Sequence, residues 1–155
     1  MVLGQLPRQS RKNIARLRHF AQTQRARSNV RHAFKFRHPF WFDDEVAQCL
    51  SEYSIAASLA DAAEWPMGEI VTTDLIYIRL HGRPHTYAST YSASALDHWA
   101  AGARGGSAQG RHVHVYFDSD GEGAAPFDAR KLMTRLAKPC GLWGAGFFEA
   151  GRSHT

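Results

Sequence analysis

The chain has 155 residues, of which 44% are hydrophobic and 21% are charged. This composition is typical of one globular domain and excludes collagen-like, low-complexity and membrane-embedded chains. No segment approaches the roughly 18 apolar residues of a membrane span, and Arg8, Arg11 and Lys12 interrupt any signal-peptide core. We therefore expect a cytoplasmic protein without membrane contact.

Positive charge is concentrated at the start of the chain. Residues 1–42 hold ten Lys or Arg and no Asp or Glu, whereas all 14 acidic residues lie from Asp43 onward. Such a block can bind nucleic acid, but it more often belongs to solvated helix faces. Nucleic acid is therefore one partner class to test.

Five segments rich in β-branched or aromatic residues are predicted to be strands. They cover residues 2–6, 30–37, 55–61, 74–81 and 112–118. Helical patterns lie between most of them. Ser10 is predicted to cap the first helix, around Ile14, Leu17 and Ala21; Asp43 or Asp44 begins the second; Ser92 or Ser94 begins the third, around Leu96 and Trp99; and residues 125–136 form the fourth, around Leu132, Met133 and Leu136.

Alternating strands and helices indicate a parallel sheet, either open and doubly wound or closed into a barrel. The faces of the strands favour the barrel. In the last strand Val113, Val115 and Phe117 share one face, while His114 and Tyr116 share the other. A sheet covered by helices on both sides would be apolar on both faces, so a polar face is predicted to line a barrel interior.

Cysteine usage gives no sign of a disulfide framework. Cys49 and Cys140 form no CxxC pair, and Cys49 shares a predicted helix face with Val46, Leu50 and Tyr53. Cys49 is therefore predicted to be a reduced core thiol.

Several local sequences resemble one protein family. They are GQLP from Gly4, RHAFKFRHPFWF from Arg31, LAD from Leu59, TTDLIYIRLHGR from Thr72, YASTYS from Tyr87, and RHVHVYFDSD from Arg111, followed by APFDARKL. In this order, over about residues 3–137, the chain resembles the DUF72, or YecE-like, family. The resemblance implies a TIM-type (β/α)8 barrel whose fourth to eighth strands are present, with the first three lacking. We therefore expect a truncated α/β barrel of five parallel strands over residues 1–138.

Two features depart from the family pattern. The family carries Glu where this chain has Lys35, which reverses a charge on the predicted interior face. Residues 139–155 lose the resemblance and are rich in glycine and aromatic side chains. This tail is predicted to be disordered.

In barrels of this type, function gathers at the carboxyl ends of the strands. His81 and Asp61 are candidates for a catalytic acid/base pair, because a carboxylate can fix the tautomer of an imidazole. Asp118 and Asp120 are metal candidates, although the loop lacks the closing Glu of a calcium site. The candidate ligand-binding residues are Gln5, Lys35, Arg37, His38, Trp41, Arg79, Tyr87, Tyr91 and Tyr116.

Three further interpretations of individual residues stay open. Arg79 can belong to a structural polar cluster with Asp61 or Asp118 rather than to a ligand site. His112 and His114 have metal-like spacing but lie near the predicted start of their strand. Gly121 and Gly123 could cradle phosphate on backbone amides, as glycine-rich turns before helices sometimes do.

These observations predict a remnant anion- or phosphate-binding site at the mouth of a β/α barrel. The alternative is a metal-assisted phosphoester hydrolase or nucleic-acid-processing enzyme in the intact family form, which requires a divalent metal. Because two edge strands are left open, we also expect self-association, or pairing with a segment that supplies the first three strands.

Overall fold

The computed structural model describes residues 1–25, 29–63, 68, 70–82, 85–121 and 123–137, so the predicted tail lies outside the described residues. Strands and helices alternate along most of this part of the chain. The elements are β1 (Val2–Gln5), α1 (Ile14–Arg25), β2 (His32–Lys35), α2 (Asp44–Glu52), β3 (Ile55–Asp61), β4 (Leu75–Leu80), α3 (Ala93–Ala108), β5 (His112–Phe117) and α4 (Ala124–Leu136), with a 3-10 turn at Pro39–Trp41.

The five strands form one parallel sheet in the order β1-β2-β3-β4-β5. Each strand pairs with the next one along the chain, so all their carboxyl ends lie at one edge of the sheet. This confirms the predicted parallel α/β architecture. Among the described residues β1 and β5 are the outer strands and do not pair with each other.

The two faces of the sheet differ in polarity. The outer face is covered by the helices and carries two apolar clusters. Leu59, Ile78 and Leu80 pack against Leu96, Trp99 and Leu132 in one of them, while Phe34, Phe36 and Ile55 pack against Leu17, Val46 and Leu50 in the other. The inner face is apolar only near the amino ends of the strands, at Ala33, Ala56, Leu75 and Tyr77.

Helix starts follow side-chain caps in most cases. The side chain of Asp43 accepts a hydrogen bond from the Val46 amide at α2, and Ser92 accepts one from the Ala95 amide at α3. Ser10 was the wrong cap for α1, because the side chain that accepts the Arg16 amide is Asn13, at 2.9 Å.

Met133 is also misplaced by the sequence pattern, since 68% of it is exposed. Leu132, which the sequence also predicted, does make a buried contact of α4, and a side chain one position further on points about 100° away around the helix. Cys49 is buried and free of any disulfide, as predicted.

The basic amino-terminal block does not form one continuous surface. Lys12 lies 2.5 Å from the carboxylates of both Asp43 and Glu45, and Arg31 pairs with Asp74. Lys35 is buried in the sheet. Acidic residues from later in the chain thus neutralise part of the block. The neutralised charges contribute less to nucleic-acid binding, so the block is weaker evidence for such a partner. None of the helices in the described ranges is both long and apolar enough to cross a membrane.

Candidate functional site

Charged side chains from three strands meet on the inner face at the carboxyl edge of the sheet. Lys35 ends β2, Arg79 lies near the end of β4, and His81 and Asp118 directly follow β4 and β5. Arg79 donates from Nε to Oδ2 of Asp118 at 2.6 Å, and its Nη2 lies 2.5 Å from the same oxygen. The Nζ atom of Lys35 contacts Nε2 of His81, whose Nδ1 lies 3.1 Å from Oδ2 of Asp118.

Small residues on β3 make this convergence possible. Lys35 and His81 belong to β2 and the end of β4, which lie on either side of β3. At this level the inner face of β3 presents Ser58 and Ala60, which pair in register with Tyr77 and Arg79. Side chains of this size leave space for the long Lys35 chain to cross β3 and reach the imidazole.

The surroundings of Lys35 and His81 favour their neutral forms. Burial is the largest cause that lowers the pKa of Lys35 to about 7, followed by the positive charges of Arg79 and Arg37. Burial and the charge of Lys35 lower the pKa of His81 to about 4. Asp118 acts in the opposite direction on both groups, but it does not outweigh burial and the surrounding cations. The site is therefore electropositive, and additional protons are disfavoured there.

Aromatic side chains border the charged cluster. Tyr116 is the register partner of Arg79, is 39% exposed, and stacks on Tyr77 with ring centroids 4.9 Å apart. Tyr87 meets the His81 ring edge-to-face at 5.3 Å. The Tyr87 backbone has a φ of 68°, and its amide donates to the His81 carbonyl at 2.5 Å. This backbone contact holds Tyr87 next to the His81 ring.

Asp61 does not lie with this cluster. It shares the outward side of β3 with Leu59, and its carboxylate accepts a hydrogen bond from the Tyr91 hydroxyl at 3.0 Å. The predicted acid/base pair thus had the wrong carboxylate: the one beside the His81 ring is that of Asp118. The sequence-based assignment of Asp61 to the inner face did not follow the alternation of β3, in which Asp61 has the same parity as the core residue Leu59.

Tyr91 also belongs to the outer side of the sheet. It is buried in the apolar cluster with Leu96 and Trp99, and its hydroxyl accepts the Gly82 amide at 3.0 Å while donating to Asp61. This arrangement ties the loop after β4 to the end of β3. Tyr91 therefore supports the site from behind and does not face it.

Two other predicted ligand residues serve the core or a turn. Trp41 is buried, stacks on Phe36 at 4.8 Å, and donates from Nε1 to the Ser10 carbonyl at 2.7 Å. His38 accepts the Phe40 amide on Nδ1 and so caps the 3-10 turn. Gln5 does share the inner face with Lys35, its register partner, but it lies on the exposed outer strand.

The metal candidates are not brought together by the fold. Asp118 is engaged by Arg79, and Asp120 is exposed at the following turn. Within the described ranges, no three or more His, Cys, Asp or Glu side chains gather in a way that could hold a metal ion. Glu122, the next acidic residue after Asp120 in the sequence, lies outside those ranges.

The two glycine amides that were predicted to bind phosphate are hydrogen-bonded within the chain. The Gly121 amide donates to the Tyr87 carbonyl at 2.8 Å, and the Gly123 amide donates to the Asp120 carbonyl at 3.1 Å. These two amides are therefore committed to the turn between β5 and α4. Gly123 adopts a φ of 67° as the residue before α4, a conformation that glycine tolerates best.

One supporting residue escaped the sequence analysis. Asp128 is fully buried in α4, where its carboxylate accepts the Tyr91 amide at 2.8 Å and pairs with Lys131 at 2.9 Å. Its position in the sequence could have revealed it. Asp128 lies four residues after Ala124 and four residues before Leu132, on the apolar stripe of the helix. Its role is to position the loop that carries Tyr91.

The chain is similar to proteins of one family in both sequence and structure. Residues 1–144 match the family described as "Protein of unknown function DUF72". This match extends beyond the motifs at residues 3–137, and it does not assign them to the carboxyl-terminal part of a barrel. No curated protein matches the chain.

Solved structures agree with the family match at the level of the fold. A DUF72 family protein from Thermotoga maritima has a TM-score of 0.77 and 23% identity, with 88% of this chain and 57% of that chain covered. A DUF72 family protein from Enterococcus faecalis has a TM-score of 0.76 and 16% identity, with coverages of 90% and 59%. This chain thus spans less than two thirds of the length of these relatives. Together, the family match and the shared fold show that the chain belongs to the DUF72 family.

Proposed function

We propose that the chain binds a small anion, carrying a phosphate or carboxylate group, on the inner face of the sheet. One observation carries this proposal: in the part of the chain that the structure describes, Arg79, His81 and Lys35 gather at a single carboxylate, Asp118, and the positive charge of Arg37 also acts on Lys35 and His81. An anion would offset the repulsion between the two arginines and Lys35, and it would favour the protonated form of the Lys35 amine. It would also be held by the planar forks of two arginines.

Further hydrogen-bond donors in or beside the cluster support the proposal. The contact with Asp118 uses Nε and Nη2 of Arg79, so Nη1 can donate to a ligand. Ser58 adds a buried hydroxyl that makes no hydrogen bond to any described residue. Tyr87 and Tyr116 are partly exposed and offer phenolic hydroxyls and flat faces at the rim. Gln5 adds an amide beside Lys35.

The parallel sheet favours a barrel as the setting of this site. We infer that the sheet is part of a TIM-type barrel and corresponds to its carboxyl-terminal strands. The polar inner face and the incomplete coverage of longer relatives support this reading. In such a barrel the cluster would lie at the mouth, where the ligands of this fold usually bind.

The hydrolase alternative has less support. Metal-assisted phosphoester hydrolysis needs a set of oxygen or nitrogen ligands, whereas Asp118 is already paired with Arg79. A phosphate group of a nucleic acid remains one source of the proposed anion. A small free anion and a nucleic acid can be told apart by the salt dependence of their binding affinity, which is steep for a polyanion such as nucleic acid.

Calorimetric titration with inorganic phosphate, and separately with an oligonucleotide, tests the proposal. Arg79→Gln should weaken phosphate binding about tenfold or more, since a charge-assisted hydrogen bond contributes roughly 1.5–3 kcal/mol. The matched control is Arg31→Gln, because Arg31 pairs with Asp74 on the exposed surface. Equal phosphate affinity in the wild type and both variants would contradict the proposal.

A further inference from the structure

We propose that Lys35 is a nucleophile that forms an imine with an aldehyde or ketone bearing an anionic group. This inference rests on the proposed anion site and names its substrate class. The carbonyl carbon would be held near the Lys35 amine, and the anionic group would lie against Arg79 and Arg37.

The geometry around Lys35 is that of an activated nucleophile. Its amine contacts Nε2 of His81, and Nδ1 of His81 lies 3.1 Å from the carboxylate of Asp118. Asp118 is itself fixed by two nitrogens of Arg79. A nucleophile, a base and a carboxylate next to the base thus lie in series, which resembles the general pattern of nucleophilic side chains in enzymes.

The polar partners also favour one tautomer of His81. The tautomer with its proton on Nδ1, 3.1 Å from Oδ2 of Asp118, leaves the lone pair of Nε2 facing the Lys35 amine, from which it can accept a proton. Burial and the nearby arginines lower the pKa of Lys35 to about 7, so a large share of the amine is unprotonated near neutral pH. Only an unprotonated amine can attack a carbonyl carbon.

The reaction needs no oxidant, reductant or cofactor. The amine nitrogen attacks the carbonyl carbon, a C–N bond forms, and the electron pair of the C=O bond moves to oxygen. His81 takes a proton from nitrogen and returns it to that oxygen, giving a carbinolamine. Loss of the hydroxyl group as water, with the second amine proton, leaves the C=N bond of the imine. Burial of Lys35 shields this bond from hydrolysis.

Reductive trapping tests this inference on the full chain. Glyoxylate is a small anionic aldehyde, and sodium cyanoborohydride reduces its imine to a stable carboxymethyl-lysine. The chain contains four lysines, Lys12, Lys35, Lys131 and Lys138, so peptide mass spectrometry can assign the modified position. We expect Lys35 to be modified about tenfold or more faster than Lys12 and Lys131, which are paired with carboxylates outside the cluster.

Variants separate the chemistry from folding. Lys35→Arg should abolish the fast labelling, while Lys12→Arg, the matched control, should leave it unchanged. His81→Gln should slow labelling of Lys35 by about a hundredfold, the scale of a lost general base, with a cooperative denaturant transition retained as the check on folding. Labelling of Lys35 at the rate of the other lysines would overturn the inference.

Two further comparisons separate this inference from the anion site. If inorganic phosphate binds but glyoxylate does not label Lys35, the imine inference alone fails. If glycolaldehyde, a neutral aldehyde, labels Lys35 as fast as glyoxylate and phosphate does not compete, the anion site fails while the nucleophile stands. We expect phosphate to protect Lys35 from glyoxylate, and glycolaldehyde to react more slowly.

Discussion

One carboxylate oxygen, Oδ2 of Asp118, joins Arg79 to His81: it accepts from Nε of Arg79 at 2.6 Å and lies 3.1 Å from Nδ1 of His81. The two side chains come from neighbouring positions on the inner side of β4, and Asp118 reaches them from the end of β5. A single acidic group thereby binds the arginine fork and lies next to the imidazole.

Asp118→Asn is expected to destabilise the fold and to strengthen anion binding. Loss of the partly buried charge-assisted contact with Arg79 should cost about 2 kcal/mol of unfolding free energy. Removing the negative charge should raise phosphate affinity several-fold at pH 6, where Lys35 is mostly protonated. Urea melts and calorimetry measure the two effects, with Asp97→Asn as control because Asp97 pairs with Arg135 on the surface. Weaker phosphate binding would mean that orienting Arg79 matters more than the charge of Asp118.

The pH dependence of stability should carry the signature of Lys35. Its pKa is about 7 in the folded chain and 10.5 as its ordinary value, so the unfolded chain binds more protons between these limits. Stability should therefore rise with pH across that window, by up to about 1.4 kcal/mol per pH unit. Lys35→Met should remove this rise, which we would measure as the difference between wild-type and variant urea melts. The same difference at every pH would contradict the depressed pKa.

His81 should act in a separate, more acidic window. Its pKa is about 4 in the folded chain against an ordinary value of 6.5, so stability should also increase as the pH rises between these values. His81→Gln should flatten this acidic part of the profile and leave the alkaline part due to Lys35. A variant profile parallel to that of the wild type would show that the imidazole titrates normally.

Lys35→Glu is expected to convert the anion site into a cation site. The new carboxylate would lie beside His81 and Asp118, giving the mixed nitrogen and oxygen ligands that divalent transition metals accept. We expect Mn²⁺ or Zn²⁺ binding by calorimetry, with phosphate binding lost. Lys131→Glu, on the surface of α4, is the matched control. No gain in metal affinity would remove position 35 from the site.

Tyr91→Phe should weaken the fold without changing the anion site. The variant loses the hydroxyl that accepts from the Gly82 amide and donates to Asp61, leaving two buried groups without this partner. We expect a loss of about 1–3 kcal/mol of unfolding free energy and nearly unchanged phosphate affinity. Tyr53→Phe, which loses one exposed contact with Gln22, is the control and should cost far less. A large fall in phosphate affinity would assign Tyr91 to the ligand.

The outer strands β1 and β5 should make the chain associate. Beside β1, a cleft of about 540 Å³ is lined by apolar side chains such as Leu6, Leu17, Phe20 and Phe34, together with the basic residues Arg11, Lys12 and Arg16. An unpaired strand edge next to such a cleft favours pairing with a second chain or with an added segment. Size-exclusion chromatography with light scattering should show concentration-dependent dimers or larger species. A monodisperse monomer with a cooperative melt would show that this sheet is sufficient by itself.

Local sequence patterns were enough to predict the elements and their parallel arrangement. β3 was predicted with the observed bounds, and the other strands within a few residues, because β-branched and aromatic runs alternate with amphipathic helices. The same alternation assigned Arg79, His81 and Asp118 to one face, since side chains in a strand point to opposite sides with a period of two. The family resemblance, which the comparisons confirm, rests on these motifs.

Only the tertiary structure determines which residues these side chains contact. The sequence pattern could not show that Asp61 bonds to Tyr91 while Asp118 takes the place beside His81, because the period of two gives the side of a strand but not the partner that a side chain meets there. Nor could it show that Trp41 fills the core against Phe36. The contact between Lys35 and His81 depends on the small side chains of β3, the strand between them. It also depends on the packing of β2, β3 and β4, which buries both residues. Such contacts join residues far apart in the chain, and the packing of the whole sheet, rather than local spacing, determines them.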